Sequence, residues 1–214
     1  MDTIDRFVHA VTNARAHWLL SVAAVLVSAC ATTAPTTKSA NIEIQDDVGF
    51  TITEEARIGA DVRSDYDQAM LLLGQGRQAD AIEILEQVAE SAPALSAPRI
   101  DLGIAYHRMG DLDNARRNLE IALQSNPDHP IAHNELGIVY RKQGRFADAR
   151  RSYEAALSVY PGFHYARRNL AILCDLYLGD LECALENYEA YMATVPSDDE
   201  ASIWIADIRG RLGR

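Results

Sequence analysis

Motifs that carry chemistry are scarce in this 214-residue sequence. It has only three cysteines, and no closely spaced cysteine pairs of the kind that bind zinc. It also lacks a glycine-rich phosphate loop and the strained serine turn of hydrolases. Among the histidines only His129 and His133 lie close together, and Pro130 begins a new helix between them. The sequence therefore predicts no catalytic residues, no metal site and no cofactor, and we expect a protein that is not an enzyme.

Basic residues are also fewer than acidic ones in this sequence. Twenty Lys and Arg residues stand against 31 Asp and Glu residues, which gives a net charge of −11. This acidic balance argues against nucleic acid as the main partner. The charge is unevenly spread, because residues 96–175 hold 11 basic and 9 acidic residues, whereas residues 176–208 hold 8 acidic and no basic ones. A mildly basic middle therefore precedes a strongly acidic end.

The apolar run near the N-terminus is short. From Trp18 to Cys30 it has only about a dozen residues, which suits the core of a signal peptide better than a membrane span. It ends in "LVSAC", which resembles a bacterial lipobox. The resemblance implies a lipoprotein signal peptide at 1–29 and acylation of Cys30, for example by palmitate. Because residue 31 is Ala rather than Asp, it also implies an outer-membrane protein that faces the periplasm. The alternative is a short N-terminal anchor with an incidental cysteine.

A lead-in separates this segment from the rest of the chain. Residues 30–52 begin small, polar and rich in Thr, and we interpret them as a flexible tether. The weak alternation from Ile42 to Thr53 is compatible with a short extended segment, but an irregular lead-in is favoured. Thr53, followed by two glutamates, predicts the start of a long helix that merges with the region downstream.

One sequence pattern occurs twice between Ile100 and Pro161. Seven positions recur at an offset of 34 residues: Leu102/Leu136, Gly103/Gly137, Tyr106/Tyr140, Gly110/Gly144, Ala115/Ala149, Ala122/Ala156 and Pro127/Pro161. The first three fall at helical spacing, the second glycine ends that helix, and the alanines let a second helix approach closely. Each copy is therefore a helical hairpin, and hairpins stack because one alone cannot bury both of its faces.

These positions resemble the tetratricopeptide repeat family. The resemblance implies an all-α, right-handed solenoid at 53–197, with repeats at about 62–95, 96–129, 130–163 and 164–197, followed by a capping helix at 198–214. The outer two copies are degenerate, and the last has one residue inserted around Asp175 to Leu178. Trp204 belongs to the capping helix or, alternatively, is an exposed anchor for a partner. Cys174 and Cys183 flank the turn of the last hairpin at equal distances, so they form either a disulfide or two small core residues.

In this family the first helix of each hairpin lines a concave groove. Carried over residue by residue, the peptide-binding positions are Ile100, Ile104, His107, Arg108, Asn134, Ile138, Arg141, Lys142, Tyr165, Arg168 and Ile172. Aliphatic and cationic side chains together suit a peptide with acidic groups. The carboxylate clamp of chaperone-binding relatives is not matched, because Asn134 lies one position early.

The predicted function is that of a lipid-anchored scaffold or adaptor that recruits another envelope protein or peptide. Similarity to lipoproteins with such repeats suggests clients in pilus or secretin assembly, peptidoglycan-enzyme adaptors or Ton-type energy transduction. Two alternatives from other classes are an envelope enzyme or small-ligand receptor that uses the groove as a pocket, and a structural protein that associates with itself through its acidic C-terminal helix.

Overall fold

A computed structural model describes residues 5–10, 41–45, 49–56 and 58–214. The predicted lipidation site Cys30, and the signal peptide apart from residues 5–10, lie outside this part of the chain. Within it, no helix is both long and apolar enough to cross a membrane. The helices are α1 (Ala60–Gly74), α2 (Gln78–Ser91), α3 (Ala97–Met109), α4 (Leu112–Ser125), α5 (Pro130–Lys142), α6 (Phe146–Val159), α7 (His164–Leu173), α8 (Leu181–Thr194) and α9 (Asp199–Leu212).

Eight of these helices form four antiparallel hairpins that stack in sequence order. Within each hairpin the two helices pack on one another, and the second helix also packs on the first helix of the next hairpin. The solenoid predicted from the 34-residue repeat is therefore confirmed. The core runs through the stack as a series of apolar clusters, in which small alanines such as Ala115 and Ala149 are fully buried.

The hairpin turns show why the repeat keeps its glycines and acids. Gly110 has a φ of 84°, a left-handed conformation that costs most residues energy, and it ends α3. The side chain of Asp111 then accepts a hydrogen bond from the Asn114 amide at the start of α4, 3.0 Å away. The same chemistry begins α8, where Asp180 accepts from the Cys183 amide at 3.1 Å.

The residue inserted in the fourth repeat is accommodated by a change of helix type. After Leu173 the helix continues as a π-helical segment, Cys174–Leu178, at the place where the repeat spacing lengthens from 34 to 35. A π-helix holds one more residue in its turn than an α-helix, so the extra residue does not disturb the packing on either side. Cys174 and Cys183 form a disulfide across this turn, with Cα atoms 5.9 Å apart.

α9 covers the open end of the stack. Its inner face carries Ala201, Ile205 and Ile208, all of them buried, and it packs on α8. Trp204 lies 5.3 Å from the ring of Tyr188 and is half-buried, so it contributes to the cap rather than standing free. The predicted capping helix is thus present.

A small antiparallel sheet precedes the solenoid and was not predicted. Its strands are β1 (Asp5–Ala10), β2 (Asn41–Gln45) and β3 (Gly49–Ala56), in the order β1-β3-β2. The expected helix start at Thr53 is wrong, because Thr53 lies in β3 and α1 begins at Ala60. The favoured irregular lead-in is also wrong, and the alternating pattern was the correct signal. The predicted tether at 30–52 therefore contains β2 and the first residues of β3.

Candidate functional site

Four basic side chains lie near one another on the first helices of two neighbouring hairpins. These first helices pack directly on one another, α3 on α5 and α5 on α7. His107 and Arg108 come from the last turn of α3, and Arg141 and Lys142 hold the same positions one repeat later in α5. We call these four residues the basic cluster. The 34-residue repeat places them side by side.

His107 is a half-buried member of the cluster. Burial lowers the pKa of its imidazole, and the positive charges of Lys142, Arg108 and Arg141 lower it further. The imidazole is therefore held in its neutral form more strongly than in water. Its Nε2 atom is buried and has no hydrogen-bond partner among the described residues. A buried ring nitrogen of this kind is a group that a ligand can satisfy.

Arg141 is held by aromatic side chains rather than by an acid. Its guanidinium donates to the hydroxyl of Tyr153 at 3.5 Å and to that of Tyr177 at 3.4 Å. The same guanidinium lies 5.6 Å from the centre of the Tyr177 ring, which in turn packs on Phe146 at 4.9 Å. These contacts orient the charge but do not neutralise it.

The cluster lacks the ion pairs that other arginines in this protein make. Within the part of the chain that the structure describes, Arg108, Arg141 and Lys142 have no carboxylate within ion-pair distance. Elsewhere Arg116 pairs with Glu120 at 2.9 Å, and Arg150 pairs with Glu154 at 2.8 Å. In an acidic chain, uncompensated positive charge on the inner face is a feature that attracts anions.

Glu135 is an acidic residue near Arg108 of the basic cluster. Burial raises the pKa of its carboxyl, while the hydrogen bond from Asn134 and the charge of Arg108 oppose that rise. The ionised form of Glu135 is thus disfavoured relative to a carboxylate in water.

Some predicted groove positions do not offer surface to a partner. Ile100 is fully buried and belongs to the core between α3, α4 and α5, so its assignment to the groove surface is corrected. Asn134 is 3 % exposed and accepts a hydrogen bond from Asn169 at 2.9 Å, so it joins two first helices instead. Both residues are hidden because the first helices pack more closely than the repeat pattern alone indicates.

The remaining predicted positions lie at the surface to different degrees. Ile104, Ile138 and Ile172 are half-buried, which suits shallow apolar contacts. Tyr165 is exposed and packs on His164, with ring centroids 4.1 Å apart. Arg168 is engaged by the capping helix, where its guanidinium lies 5.1 Å from the Trp204 ring.

The π-helical segment adds residues that the repeat pattern did not identify. Leu176, Tyr177 and Leu178 are exposed apolar side chains, and Leu176 is 69 % accessible. Tyr177 joins the basic cluster through Arg141. The break from a 34- to a 35-residue spacing was the available signal, because it marked this stretch as different from the other hairpins.

Two groups of side chains that could in principle bind a metal make structural contacts in the described part of the chain. One group is formed by Cys174, Asp180 and Cys183. In the structure both sulfur atoms are used by the disulfide, and Asp180 caps α8 and pairs with Arg150 at 3.2 Å. His129 caps α5 and His133 contacts the Pro127 carbonyl at 2.7 Å, so the two rings serve separate structural contacts.

A shallow cleft lies between α6, α7 and α8, away from the basic cluster. Its polar lining includes Arg150, Glu154, Arg167 and Asn187. Arg150 is paired with Glu154, and Arg167 donates to Asn187 at 3.1 Å. Because these charges are already satisfied, the cleft is a weaker candidate for anion binding than the basic cluster.

Comparisons with known proteins agree with this architecture. Models of the tetratricopeptide repeat match residues 100–162 and 134–176, and a further one matches residues 63–94. Together these matches cover just over half of the chain. None of the curated proteins compared with this sequence matches it.

Several solved structures share the fold. A MamA fragment from Desulfovibrio magneticus RS-1 is 21% identical with a TM-score of 0.65, over 72% of this chain and 87% of that one. The Pseudomonas aeruginosa pilF protein is 18% identical with a TM-score of 0.64, over 70% of this chain and 68% of that one. TTC0263, a thermophilic protein of this repeat class from Thermus thermophilus, is 26% identical with a TM-score of 0.59, over 70% of this chain and 81% of that one. At this identity the first two similarities establish the fold alone.

Proposed function

Because the chain belongs to the tetratricopeptide repeat family, we propose that it is a protein-interaction scaffold whose basic cluster binds an acidic segment of a partner protein. Stacked hairpins of this kind present an extended, preorganised inner face to a peptide. The observation that carries the proposal is that Arg108, Arg141 and Lys142 lie around His107 and have no ion-pair partner among the described residues. Repeat solenoids use the extended surfaces that their stacking creates for binding.

The chemistry of the cluster specifies the ligand further. Arg108 and Arg141 offer planar forks of N–H donors that match a carboxylate, and Lys142 adds a point charge. The half-buried Ile138 and the exposed Leu176 provide apolar contact beside them. A segment that carries both acidic and apolar side chains therefore fits this face better than a uniformly charged one.

We also propose a location for the scaffold, the periplasmic side of a bacterial outer membrane. The lipobox-like "LVSAC" and the Ala at residue 31 support lipid attachment at Cys30. The disulfide between Cys174 and Cys183 supports an oxidising compartment, because cytosolic thiols are kept reduced. A lipid anchor would raise the local concentration of the scaffold near other envelope proteins. Pilus or secretin assembly, peptidoglycan-enzyme adaptors and Ton-type complexes are client systems of the proposed class.

A peptide-binding experiment tests the function. The probe is a fluorescent peptide of alternating Glu and Leu residues, compared with the same peptide carrying Gln for Glu, and binding is followed by fluorescence anisotropy. We expect the wild type to prefer the acidic peptide, and Arg141→Glu/Lys142→Glu to weaken that binding at least about tenfold. The matched control is Arg117→Glu/Arg151→Glu, an equal charge change at exposed sites on second helices. Equal binding by the groove variant and the control would show that the basic cluster is not the site.

The location is tested separately. Cells that express the wild type or Cys30→Ala are fed labelled palmitate and then fractionated into soluble and membrane pools. We expect label and membrane association in the wild type and neither in the variant. A Cys30→Ala protein that still carries the label would contradict acylation at this cysteine.

A further inference from the structure

The strand β3 is fixed to the solenoid by its own Glu54 carboxylate, which accepts hydrogen bonds from residues far away in the sequence. Glu54 accepts hydrogen bonds from the amides of Ser96 at 2.8 Å and Ala97 at 3.4 Å, and from the Asn126 side-chain amide at 3.2 Å. The Ser96 hydroxyl also donates to it in a short hydrogen bond. Four donors thus converge on one side chain.

These donors form a built and enclosed site. Ser96 is fully buried, Asn126 is 3 % exposed, and Glu54 itself is only 8 % exposed. The two amides belong to the N-cap residue Ser96 and to the first residue of α3, Ala97, at a helix start where N–H groups have no acceptor within the helix and the helix dipole favours a negative charge. Asn126 lies at the end of α4. The site therefore uses both ends of the second hairpin to hold a carboxylate out of water.

Ile52 is the second anchor of the strand. It is 2 % exposed and belongs to the apolar cluster that also contains Phe163 and Leu170. Residues two apart in a strand lie on the same face, so Ile52 and Glu54 both point to the solenoid. The side chain between them, Thr53, is less buried. The solenoid surface thus contacts an apolar residue of the strand and an acidic residue two positions later.

The way the strand is attached favours its release. In the full chain β3 is hydrogen-bonded along one edge to β2 and along the other to β1, whose residues lie in the predicted signal peptide, so its backbone does not pair with the solenoid. Contacts between the described strands and helices are otherwise few, whereas the helices pack extensively with one another. Among the strand side chains that the structure describes, Ile52 and Glu54 are the buried ones, and these two carry the attachment.

We propose that this edge of the solenoid is a second binding surface, specific for an extended segment that presents an apolar side chain and a carboxylate two residues apart, and that β3 is its resident, exchangeable occupant. The ligand class is an acidic, β-forming peptide segment. The proposal is independent of the basic cluster, because it uses the start of α3 and the end of α4 rather than the ends of α3 and α5. A partner segment with the same spacing would compete with β3 for the four donors.

The first test uses a labelled peptide of residues 41–56 and the full chain. The receptor is Ile52→Asp/Glu54→Ala, in which the resident strand has lost both anchors, and anisotropy measures binding. We expect the variant to bind the peptide, the wild type to bind it at least about tenfold more weakly because the site is occupied, and a peptide with Glu54→Gln to lose about tenfold on the variant. Equal binding to wild type and variant, no binding to the variant, or equal binding of the Gln peptide would each overturn the proposal.

Amide hydrogen exchange provides a second measurement that does not depend on the added peptide. In the full-chain Glu54→Ala variant we expect the Ser96 and Ala97 amides to exchange at least about tenfold faster, with the amides of α5 and α6 unchanged. Glu90→Ala, at an exposed position of α2, is the matched control and should leave the same amides protected. Unchanged exchange at Ser96 and Ala97 in Glu54→Ala would show that the carboxylate does not hold them.

Discussion

A Cβ atom on Gly137 would lie 2.5 Å from Cε1 of Tyr153. One repeat earlier, a Cβ on Gly103 would lie 2.5 Å from Cγ of Leu119. In both hairpins the first helix therefore comes so close to the second that its backbone touches a large buried side chain. This contact is the physical reason why glycine stands at these two positions.

The close contact at Gly137 predicts that even substitution by alanine destabilises the protein. We expect Gly137→Ala to lower the free energy of unfolding by about 2 kcal/mol, because the added methyl group must displace the fully buried ring of Tyr153. Gly210→Ala is the matched control in α9, where a Cβ meets nothing within 4 Å, and it should stabilise by about 0.5 to 1 kcal/mol. Urea denaturation of both variants measures the difference. Equal effects would mean that the hairpins do not require the close approach.

Because of the disulfide, we expect the stability of the protein to fall under reducing conditions. The disulfide closes a short loop between Cys174 and Cys183, nine positions apart, and such a link stabilises by about 2.5 kcal/mol in the chain-entropy model. We expect dithiothreitol to shift the urea midpoint of the wild type downward. The double variant Cys174→Ser/Cys183→Ser should have the lower midpoint already and should not respond to the reductant. A response of the double variant would assign the shift to something other than this bond.

The histidines predict a dependence of stability on pH. Burial lowers the pKa of His107, His133 and His164 below the usual 6.5. As the pH falls below about 6.5, the unfolded chain therefore takes up protons before the folded one does, and the free energy of unfolding decreases until the pH passes the folded-state values. We expect lower stability at pH 5.5 than at pH 7.5, measured by urea denaturation.

A variant of one histidine tests how much of this pH dependence of stability comes from that residue. His107→Gln removes one imidazole with a lowered pKa, so the difference in stability between pH 7.5 and pH 5.5 should shrink. The pKa of Asp111 is lowered by the Asn114 amide that bonds to it, and its contribution is lost only below about pH 4, outside this window. An unchanged difference in His107→Gln would contradict a role for this residue.

The capping helix predicts the outcome of a truncation. Removal of residues 198–214 would expose the apolar surface that Ala201, Ile205 and Ile208 cover, so we expect a fall in melting temperature and a tendency to aggregate. Ile203→Glu provides the comparison, because Ile203 is 67 % exposed and should be replaced with little loss of stability. Size-exclusion chromatography of Ile203→Glu also tests self-association. An oligomer in the wild type that becomes a monomer in this variant would favour the self-association alternative.

The sequence alone determined the repeat architecture, because a 34-residue period is local information that recurs. Leu102, Gly103 and Tyr106 have counterparts one period later, and their spacing was sufficient to predict hairpins, their turns and their stacking. The inserted residue is visible as a change of period, and the register of the repeat predicts Arg141 and Lys142 as groove residues.

Only the tertiary structure decided how these elements are used, because that depends on contacts between distant residues. The convergence of four donors on Glu54 joins residues 42 to 72 positions apart, which no local pattern contains, so the same glutamate was taken for the first turn of a helix. Tyr177 lies in the π-helical turn that takes up the extra residue, and it contacts Arg141 from a hairpin 36 positions further along the chain. Whether a first-helix position such as Ile100 faces solvent or core depends on how closely neighbouring hairpins pack, and this distance is set by the whole stack.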